Sequence, residues 1–454
     1  MTPAIDFDSV SVPRLVLRLS LPAMLAQFFN ILYSVVDRIF VGKIPGSGSL
    51  ALAAVGVAAP ALTAIGATAY LVGIGASTTM SIRLGQKDQA GAQVMVGTAT
   101  VMLLALGVIL TALSIALRRP ILYVLGCSDA MYPQAATYFT IYSCGTLFFL
   151  LGTGLNHFIM AQGCAKQGMR PVVIGALTNL ILDPILIFGL KLGVAGAAAA
   201  TVIAQALACC DVLRFLRWKA PIVRLTNLRP NRLAARRTVA IGLSPFLILL
   251  LDNAIIIILN MVLRHYGGDA LGDRMIACAA VVQSFMTLVY CPLQGITSGS
   301  AAVYGYHYGA GSYPKVMAAF RAVLLLCLSY AAIMLVSAQL LPEFFAGLFT
   351  RDDPALAAMA ASAIRKYTLG MFGIAVQYAL VDGLTAMGKV KFAMPLSFNR
   401  KAIYIALALI LPHFTALENI FYNCSIADSL GACCSIVLFF TVIRPSLRKE
   451  LKRT

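Results

Sequence analysis

The sequence is poor in charged residues, which make up only 11% of the chain against 60% apolar residues. A soluble domain carries roughly 25% charged residues and needs them to cover its surface. With so few, this chain must leave a large part of its surface to lipid, in agreement with its mean hydropathy of +0.88. The shortage excludes an ordinary soluble protein and indicates an integral membrane protein.

Motifs of soluble enzymes and metal proteins are missing as well. The sequence holds no HExxH, no GxSxG and no complete phosphate-binding loop, and its four histidines are too scattered for a metal site. The eleven cysteines form no CxxC and lie mostly within apolar runs, where they fit as small packing residues. We therefore expect neither an enzyme nor a metal site, and no cofactor.

Acidic residues are also scarce, since 35 Lys and Arg stand against 17 Asp and Glu for a net charge of +18. The basic residues fall between the apolar runs, which favours membrane topology and lipid head groups over nucleic acid as their explanation. The most basic segment, Arg214 to Arg237, holds eight basic residues and no acidic one. We interpret it as a cytoplasmic linker, with binding of anionic lipid as a by-product.

Twelve apolar runs are long enough to cross a bilayer, which takes about 20 residues. They lie at roughly 15–41, 49–76, 90–117, 133–162, 171–190, 193–216, 238–263, 274–300, 316–341, 361–387, 390–413 and 418–443. The N-terminus is acidic, with Asp6 and Asp8, and the first run is too long for a signal sequence, so we expect no cleavable signal peptide.

The distribution of Lys and Arg orients the chain, because cytoplasmic loops carry the excess of both. With a cytoplasmic N-terminus, the inside segments hold Arg83, Lys87, Lys166, Arg170, Lys315, Lys389, Lys391, Arg400, Arg444, Arg448, Lys449, Lys452 and Arg453. The opposite loops hold only scattered charges such as Lys43, Arg118, Arg119, Lys191 and Arg351. An even number of spans then places both termini in the cytoplasm.

The two halves of the sequence resemble each other at an offset of about 223 to 225 residues. LSLPAML recurs as IGLSPFL, RLGQKDQAG as HYGAGSYPK, and MAQGCAKQGMRP as TAMGKVKFAMP. The matched positions are Pro22 with Pro245, Gly85 with Gly309, Gly163 with Gly388, and Pro171 with Pro395. An ordered series of this kind indicates an internal duplication.

Each half holds six spans, so both enter the membrane from the same side and the repeats are parallel. The predicted fold is an all-α integral membrane protein with twelve transmembrane helices in two pseudo-symmetric six-helix bundles. We expect an N-terminal bundle at 1–216, a basic linker at 217–237, a C-terminal bundle at 238–443 and a basic tail at 444–454. The layout is typical of transporters whose site lies between two rocking halves, and we separately expect a monomer.

Four acidic residues lie at membrane depth: Asp37, Asp183, Asp252 and Asp382. An ionisable group there is costly, so each is a candidate for function, with structural ion pairing as the alternative. At the offset of the repeat, Asn260 in the C-terminal half matches Asp37 in span one. Only apolar residues, near Ala406, match Asp183 in span five. This asymmetry favours a single proton or cation site, in the N-terminal half.

The N-terminal candidates converge at one depth. Asp183 lies about 18 Å from the inner end of span five, and Thr201 about 12 Å from the outer end of span six, at 1.5 Å per residue. In a core of about 30 Å these positions share one level. Asn179 lies on the helical face of Asp183, and Asp37 within a turn or two of that level. Pro184 removes a backbone donor and can free a carbonyl for an ion.

Such a group can couple an ion gradient to movement. Two neighbouring carboxylates in a low dielectric cannot both stay charged cheaply, and H⁺ or Na⁺ relieves the repulsion. Binding then changes the preferred packing of spans one, five and six. Side chains expected to line a cavity for substrate are Gln27, Asn30, Tyr33, Phe148 and Met286, with plain helix packing as the alternative for the last two.

The segments PAML and VVDRIFVG in span one, LTNLILDPILIF in span five and GVAGAAAATVIAQ in span six resemble the multidrug and toxic compound extrusion family. SIADSL in span twelve and the basic linker fit too. The order of Asp37, Asn179, Asp183 and Thr201, with Pro22 before them, is the most specific part of the resemblance and is similar to the DinF-like branch.

The resemblance implies ion-driven antiport of bulky, often cationic drugs. In the DinF-like branch the residues matching Asp37, Asn179, Asp183 and Thr201 form the proton or Na⁺ site, and the residue matching Pro22 is a bending point, a role we also consider for Pro184. In the NorM-like branch carboxylates in spans seven and ten carry the ion. Secondary candidates for coupling or for substrate are Asp252, Asp382, Asn260 and His157.

The sequence thus favours a secondary transporter in the plasma membrane of a prokaryote that exports small amphipathic, cationic substrates in exchange for H⁺ or Na⁺. The alternative is a flippase for lipid-linked oligosaccharides or other lipids. A flippase cavity should be lined with Arg and Lys to meet pyrophosphate, whereas the intramembrane charges here are mainly acidic. An intramembrane enzyme or a receptor is disfavoured by the missing motifs and by the internal repeat.

Overall fold

The computed structural model describes residues 7–45, 48–348 and 353–451, with the side chains of all but 49, 269, 270 and 273. Arg351, Lys452 and Arg453, used to orient the chain, and Asp6, used to argue against a signal peptide, lie outside the described residues. Throughout the described ranges the secondary structure is helical, without a strand, which confirms the predicted all-α class.

The N-terminal half is built from α1 (Val12–Gly42), α2 (Gly48–Gly85), α3 (Gln89–Ala116), α4 (Arg118–Val124), α5 (Tyr132–Cys144), α6 (Thr146–Ala161), α7 (Ala165–Pro184) and α8 (Val194–Arg214). Short π-helical segments continue α7 at Ile185–Gly189 and α8 at Phe215–Lys219. Helix α1 runs through Pro22 without interruption.

The C-terminal half is built from α9 (Arg232–Gly309), α10 (Tyr313–Leu340), α11 (Pro342–Gly347), α12 (Pro354–Thr368), α13 (Met371–Ala386), α14 (Val390–Phe414), α15 (Tyr422–Leu438) and α16 (Arg444–Glu450). A 3-10 segment, Leu417–Phe421, precedes α15, and a π-helical segment, Phe439–Ile443, follows it. Helix α9 turns back at Gly268, whose φ is +64°, so it contributes the two spans Arg232–Gly268 and Arg274–Gly309.

Ten helices in the described ranges are long and apolar enough to cross a membrane, and the number is twelve when two bent pairs each count as one span. Helices α5 and α6 meet at 50°, and α12 and α13 at 51°. The sequence predicted continuous spans at 133–162 and 361–387, and the structure instead bends both. The bends fall at Gly145 and next to Gly370, where glycine weakens the helix.

The described residues nearest the two chain ends lie on one side of the molecule, against the end of α9. Phe7 stacks on Tyr306 with ring centroids 4.7 Å apart, and the Tyr306 hydroxyl donates to Asp8 at 2.9 Å. Near the other end, Glu450 accepts a hydrogen bond from the Tyr308 hydroxyl at 2.6 Å. We call this face of the molecule the terminus side.

On the terminus side the two halves touch backbone to backbone. A Cβ atom added to Gly85 at the end of α2 would lie 2.0 Å from the Tyr306 carbonyl oxygen. A Cβ atom on Gly309 at the end of α9 would lie 2.0 Å from the Ile82 carbonyl oxygen. Larger side chains have no room there, so the halves are closed against each other on this side.

The basic segment between the halves packs on the N-terminal half. Its non-helical part, 220–231, follows the π-helical end of α8 and leads into α9. Gln89 donates to the Ile222 carbonyl at 3.0 Å, and the Asn231 amide donates to the Thr98 hydroxyl at 3.1 Å. The Asn231 side chain also caps α9 by accepting from two backbone amides. The predicted limits of the two bundles stay a prediction.

Candidate functional site

The polar residues of α7 and α8 meet in the interior of the N-terminal half. The Asn179 amide nitrogen lies 3.5 Å from Asp183 Oδ1 and donates to the Thr201 hydroxyl at 3.2 Å. Thr201 in turn donates to the Ala197 carbonyl one turn earlier at 3.0 Å. The side chains of Asp183 and Asp37 are in contact, which brings α1 into the group. The structure therefore brings together the four residues predicted for the ion site.

This group is rich in oxygen atoms without a donor. Asp183 is fully buried, and its Oδ2, the Asn179 Oδ1 and one carboxylate oxygen of Asp37 have no hydrogen-bond partner. Buried acceptors left unpaired are costly, and two touching carboxylates add charge repulsion. A proton or an oxygen-seeking cation such as Na⁺ would relieve both costs, and we call these four residues the N-site.

The helix that carries Asp183 changes its geometry next to it. Pro184 ends the α-helical part of α7, and the chain continues as the π-helical segment Ile185–Gly189. Proline lacks the amide hydrogen that would bond to the preceding turn, and single π turns are frequent at functional sites. The structure thus places a loosened helix turn directly beside the N-site carboxylate.

A cavity of about 380 Å³ opens inside the N-terminal half next to the N-site, and we call it the N-cavity. Four of the five side chains predicted to face substrate line it: Gln27, Asn30, Tyr33 and Phe148. Asn179 and Thr201 of the N-site form part of the same wall. A molecule in the N-cavity would therefore lie against the residues that hold the ion.

A second cavity of about 190 Å³, the C-cavity, lies between the halves and is lined largely by the C-terminal half. Asp252 and Asp382 both line it, although they are not in contact with each other in the described contacts. The Asp382 carboxylate accepts from the Thr297 hydroxyl at 2.6 Å. Gln27 and His157, together with three other side chains, line both cavities, so the two spaces adjoin at the centre of the molecule.

Two of the predicted candidates lie elsewhere. Met286 is 1% exposed in the apolar core of the C-terminal half, so its side chain belongs to helix packing and not to a cavity wall. Asn260 is partly buried on α9 and lines neither cavity, because it lies two turns beyond Asp252 towards the far side. For Met286 the structure favours the packing alternative.

Two basic residues that were not predicted as site residues, Arg400 and Lys401, lie in the interior of the C-terminal half. Arg400, which was counted among the cytoplasmic charges, lies within α14 and pairs with Asp428 on α15 at 2.8 Å. Lys401, next to it, pairs with Asp252 on α9. The interior of the C-terminal half therefore also holds charged side chains, on α9, α14 and α15. The signal was present in the sequence, since Arg400 and Lys401 fall well inside span eleven and Asp428 falls well inside span twelve.

Aromatic residues of α5 also belong to the neighbourhood of the N-site. Tyr138 and Tyr142 lie near enough to Asp37 to interact with its charge, as does Tyr33 on α1. Tyr138 and Tyr142 of α5 were not predicted as site residues, because a tyrosine in an apolar helix usually serves only to pack against neighbouring helices. Only the packing of α5 against α8 brings them to the site.

Known proteins resemble this chain over nearly its whole length. The multidrug export protein MepA of Staphylococcus aureus (strain N315) is 23% identical over 436 residues, 96% of this chain and 95% of that protein. The protein of the same description from Staphylococcus haemolyticus (strain JCSC1435) is 22% identical over 453 residues, 98% of this chain and 96% of that protein.

Solved structures share the fold. A MATE protein crystallised in complex with MaL6 superposes with a TM-score of 0.92 at 23% identity, over 100% of both chains. A MOP superfamily transporter from Pyrococcus furiosus, described as having a binding pocket of reverse polarity, gives 0.92 at 23% identity over 99% of both chains. An outward-facing MATE family transporter gives 0.90 at 22% identity, over 100% of this chain and 99% of that one.

The family model MatE matches the chain twice, at residues 22–185 and 246–410, one match in each half. The two matches reproduce the duplication read from the sequence and together cover more than half of the chain. The chain therefore belongs to the MatE family, the multidrug and toxic compound extrusion transporters.

Proposed function

We propose that the protein exports small amphipathic organic cations in exchange for H⁺ or Na⁺. It does so as a monomer in the plasma membrane of a prokaryote, with both termini cytoplasmic. The observation that carries the proposal is the N-site, where two touching carboxylates and unpaired buried oxygens adjoin a cavity. The multidrug export function of the MepA relatives supports the substrate class.

The mechanism follows from competition at the N-site. With H⁺ or Na⁺ bound, the charge of Asp37 and Asp183 is reduced and the N-cavity holds an organic cation less tightly. When the ion leaves towards the other side, the negative charge returns and attracts the next cation. Because Asp37, Asp183 and Thr201 lie on three helices, ion binding also changes how α1, α7 and α8 pack.

The closed terminus side supports alternating access. The two halves touch at Gly85 and Gly309, so these contacts block a passage from the cavities to the terminus side in this conformation. If the termini are cytoplasmic, as the Lys and Arg distribution predicts, this conformation is closed to the cytoplasm. Rocking of the parallel repeats about their interface would open the terminus side and close the other.

The flippase alternative is less well supported. Arg400 and Lys401, at the C-cavity, are each paired with an acidic side chain and so offer no unpaired positive charge to a pyrophosphate. The relatives described as multidrug exporters favour the same choice.

The test uses proteoliposomes loaded with a fluorescent organic cation under a pH gradient and, separately, a Na⁺ gradient. We expect one gradient to drive transport in the wild type and Asp183→Asn to abolish that coupling. Asp211→Asn is the matched control, since this carboxylate is also on the α7–α8 pair but pairs with the exposed Arg170 and lines neither cavity. Full coupling in Asp183→Asn would move the ion site to Asp252 and Asp382, and no transport in the wild type would refute the substrate class.

A further inference from the structure

Lys401 is held behind the wall of the C-cavity. Its ammonium group donates to the Ile248 carbonyl at 2.9 Å and to the Asp252 carboxylate, and its side chain is only 2% exposed. The Asp252 side chain is 48% exposed and lines the cavity. The carboxylate thus faces the cavity, and the protein's own cation neutralises it from the rear.

The neighbouring basic residue, Arg400, does not change the net charge at the C-cavity. Arg400 also lines the C-cavity, but its guanidinium pairs with the fully buried Asp428, so the two charges cancel. Asp382 differs, because its hydrogen-bond partner is the neutral Thr297. Among the described acidic residues that line the C-cavity, Asp382 alone has no basic partner.

An uncompensated carboxylate at membrane depth is costly, so a mobile cation is the natural partner of Asp382. Asp252 cannot serve a second cation at the same time, because Lys401 already occupies it. Of the two aspartates that line the C-cavity, only Asp382 therefore offers a free negative charge to a substrate.

We propose that Lys401 is a specificity-determining residue, a tethered cation that masks Asp252 and restricts the C-cavity to substrates with a single cationic centre. Within the C-cavity, monocations bind through Asp382, and a second cationic centre meets the Asp252 carboxylate, whose charge Lys401 already neutralises. The inference rests on the proposed function, since it concerns the charge of the exported cations.

The test measures equilibrium binding to the purified full-length protein in detergent, without any ion gradient. The probes are methyltriphenylphosphonium and a dication in which two such phosphonium groups are joined by a short alkyl chain. The wild type should prefer the monocation. Lys401→Gln keeps a hydrogen-bond donor for Ile248 but frees Asp252, and should strengthen binding of the dication by about tenfold or more, as close charge pairs typically do.

Two control variants separate charge from packing. Lys401→Arg keeps the cation and should bind both probes as the wild type does. Lys401→Gln combined with Asp252→Asn removes both charges, a change that buried pairs often tolerate, and should restore the preference for the monocation. An unchanged ratio of the two affinities in Lys401→Gln would overturn the inference while leaving the proposed function intact.

Asp252→Asn alone gives a reading that does not depend on the folding of Lys401→Gln. This variant leaves the Lys401 ammonium without its carboxylate partner, so the added positive charge should weaken binding of the dication more than binding of the monocation. Equal weakening of both would overturn the inference. If the wild type binds neither probe, the proposed substrate class itself fails, and the inference fails with it.

Discussion

Arg400 and Asp428 form an ion pair in the interior of the C-terminal half, with side chains 17% and 2% exposed. The second carboxylate oxygen of Asp428 lies 3.4 Å from the Cys424 thiol, so both oxygens have a partner. Such a pair gains little over an apolar pair of the same size, but breaking it leaves a buried charge alone. Its main effect is to fix how α14 and α15 face each other.

We therefore predict that Arg400→Met lowers the free energy of unfolding by about 3–5 kcal/mol, whereas Arg400→Met with Asp428→Leu recovers most of the loss. The measurement is thermal unfolding of the detergent-purified variants. Arg365→Met is the control, because its partner Glu343 is 64% exposed and such surface pairs contribute little. A loss in Arg400→Met no larger than that in Arg365→Met would contradict the prediction.

The close contact of α2 with α9 holds the terminus side shut. The contact depends on Gly85 and Gly309, where the backbones leave no room for a side chain. A carbonyl oxygen cannot move aside as the end of a flexible side chain can, so an added methyl group must push the two helices apart. This strains only the conformation in which the terminus side is closed.

Gly85→Ala should accordingly shift the protein towards conformations with an open terminus side. Distances between spin labels at Lys87 and Ser312, one in each half, should become longer and more widely distributed than in the wild type. Gly56→Ala on the same helix is the matched control, since a Cβ atom there meets nothing within 4 Å. Identical distance distributions in Gly85→Ala and Gly56→Ala would show that the glycine contact does not control closure.

Asp8 and Glu450, near the two ends of the described chain, are hydrogen-bonded to residues at the end of α9 and the start of α10. Hydrogen bonds from the Tyr306 hydroxyl and from Lys315 hold the pKa of Asp8 below its usual range. A carboxyl whose pKa is lower in the folded state stabilises the fold above its unfolded pKa. This contribution is lost as the pH falls through the folded value.

The melting temperature of the wild type should therefore fall as the pH drops below about 4, the usual region of Asp titration, and part of this fall should be absent in Asp8→Asn. The effect is small, because Asp8 is 57% exposed and the solvent screens its interactions. Tyr306→Phe removes the first donor and should reduce the pH dependence in the same direction. Parallel melting curves for wild type and Asp8→Asn across this range would refute the coupling.

The residues of the N-site were predictable because their grouping is nearly local. Asn179 and Asp183 share a helical face, and Thr201 follows on the next helix, so span counting and the rise per residue place them at one depth. The structure brings them together with Asp37, and their role in ion binding stays a prediction until the transport experiment is done. The oligomeric state and the coupling ion stay predictions in the same way.

Hydrophobicity and length along the chain were enough to predict the membrane class, the pattern of spans and the duplication. The folded structure was needed to show that Lys401 pairs with Asp252, 149 residues away, that Arg400 is interior and that Met286 lies in the core. Such contacts depend on the rotation and tilt of each helix. Those are set by packing against neighbours, which span length and composition leave open.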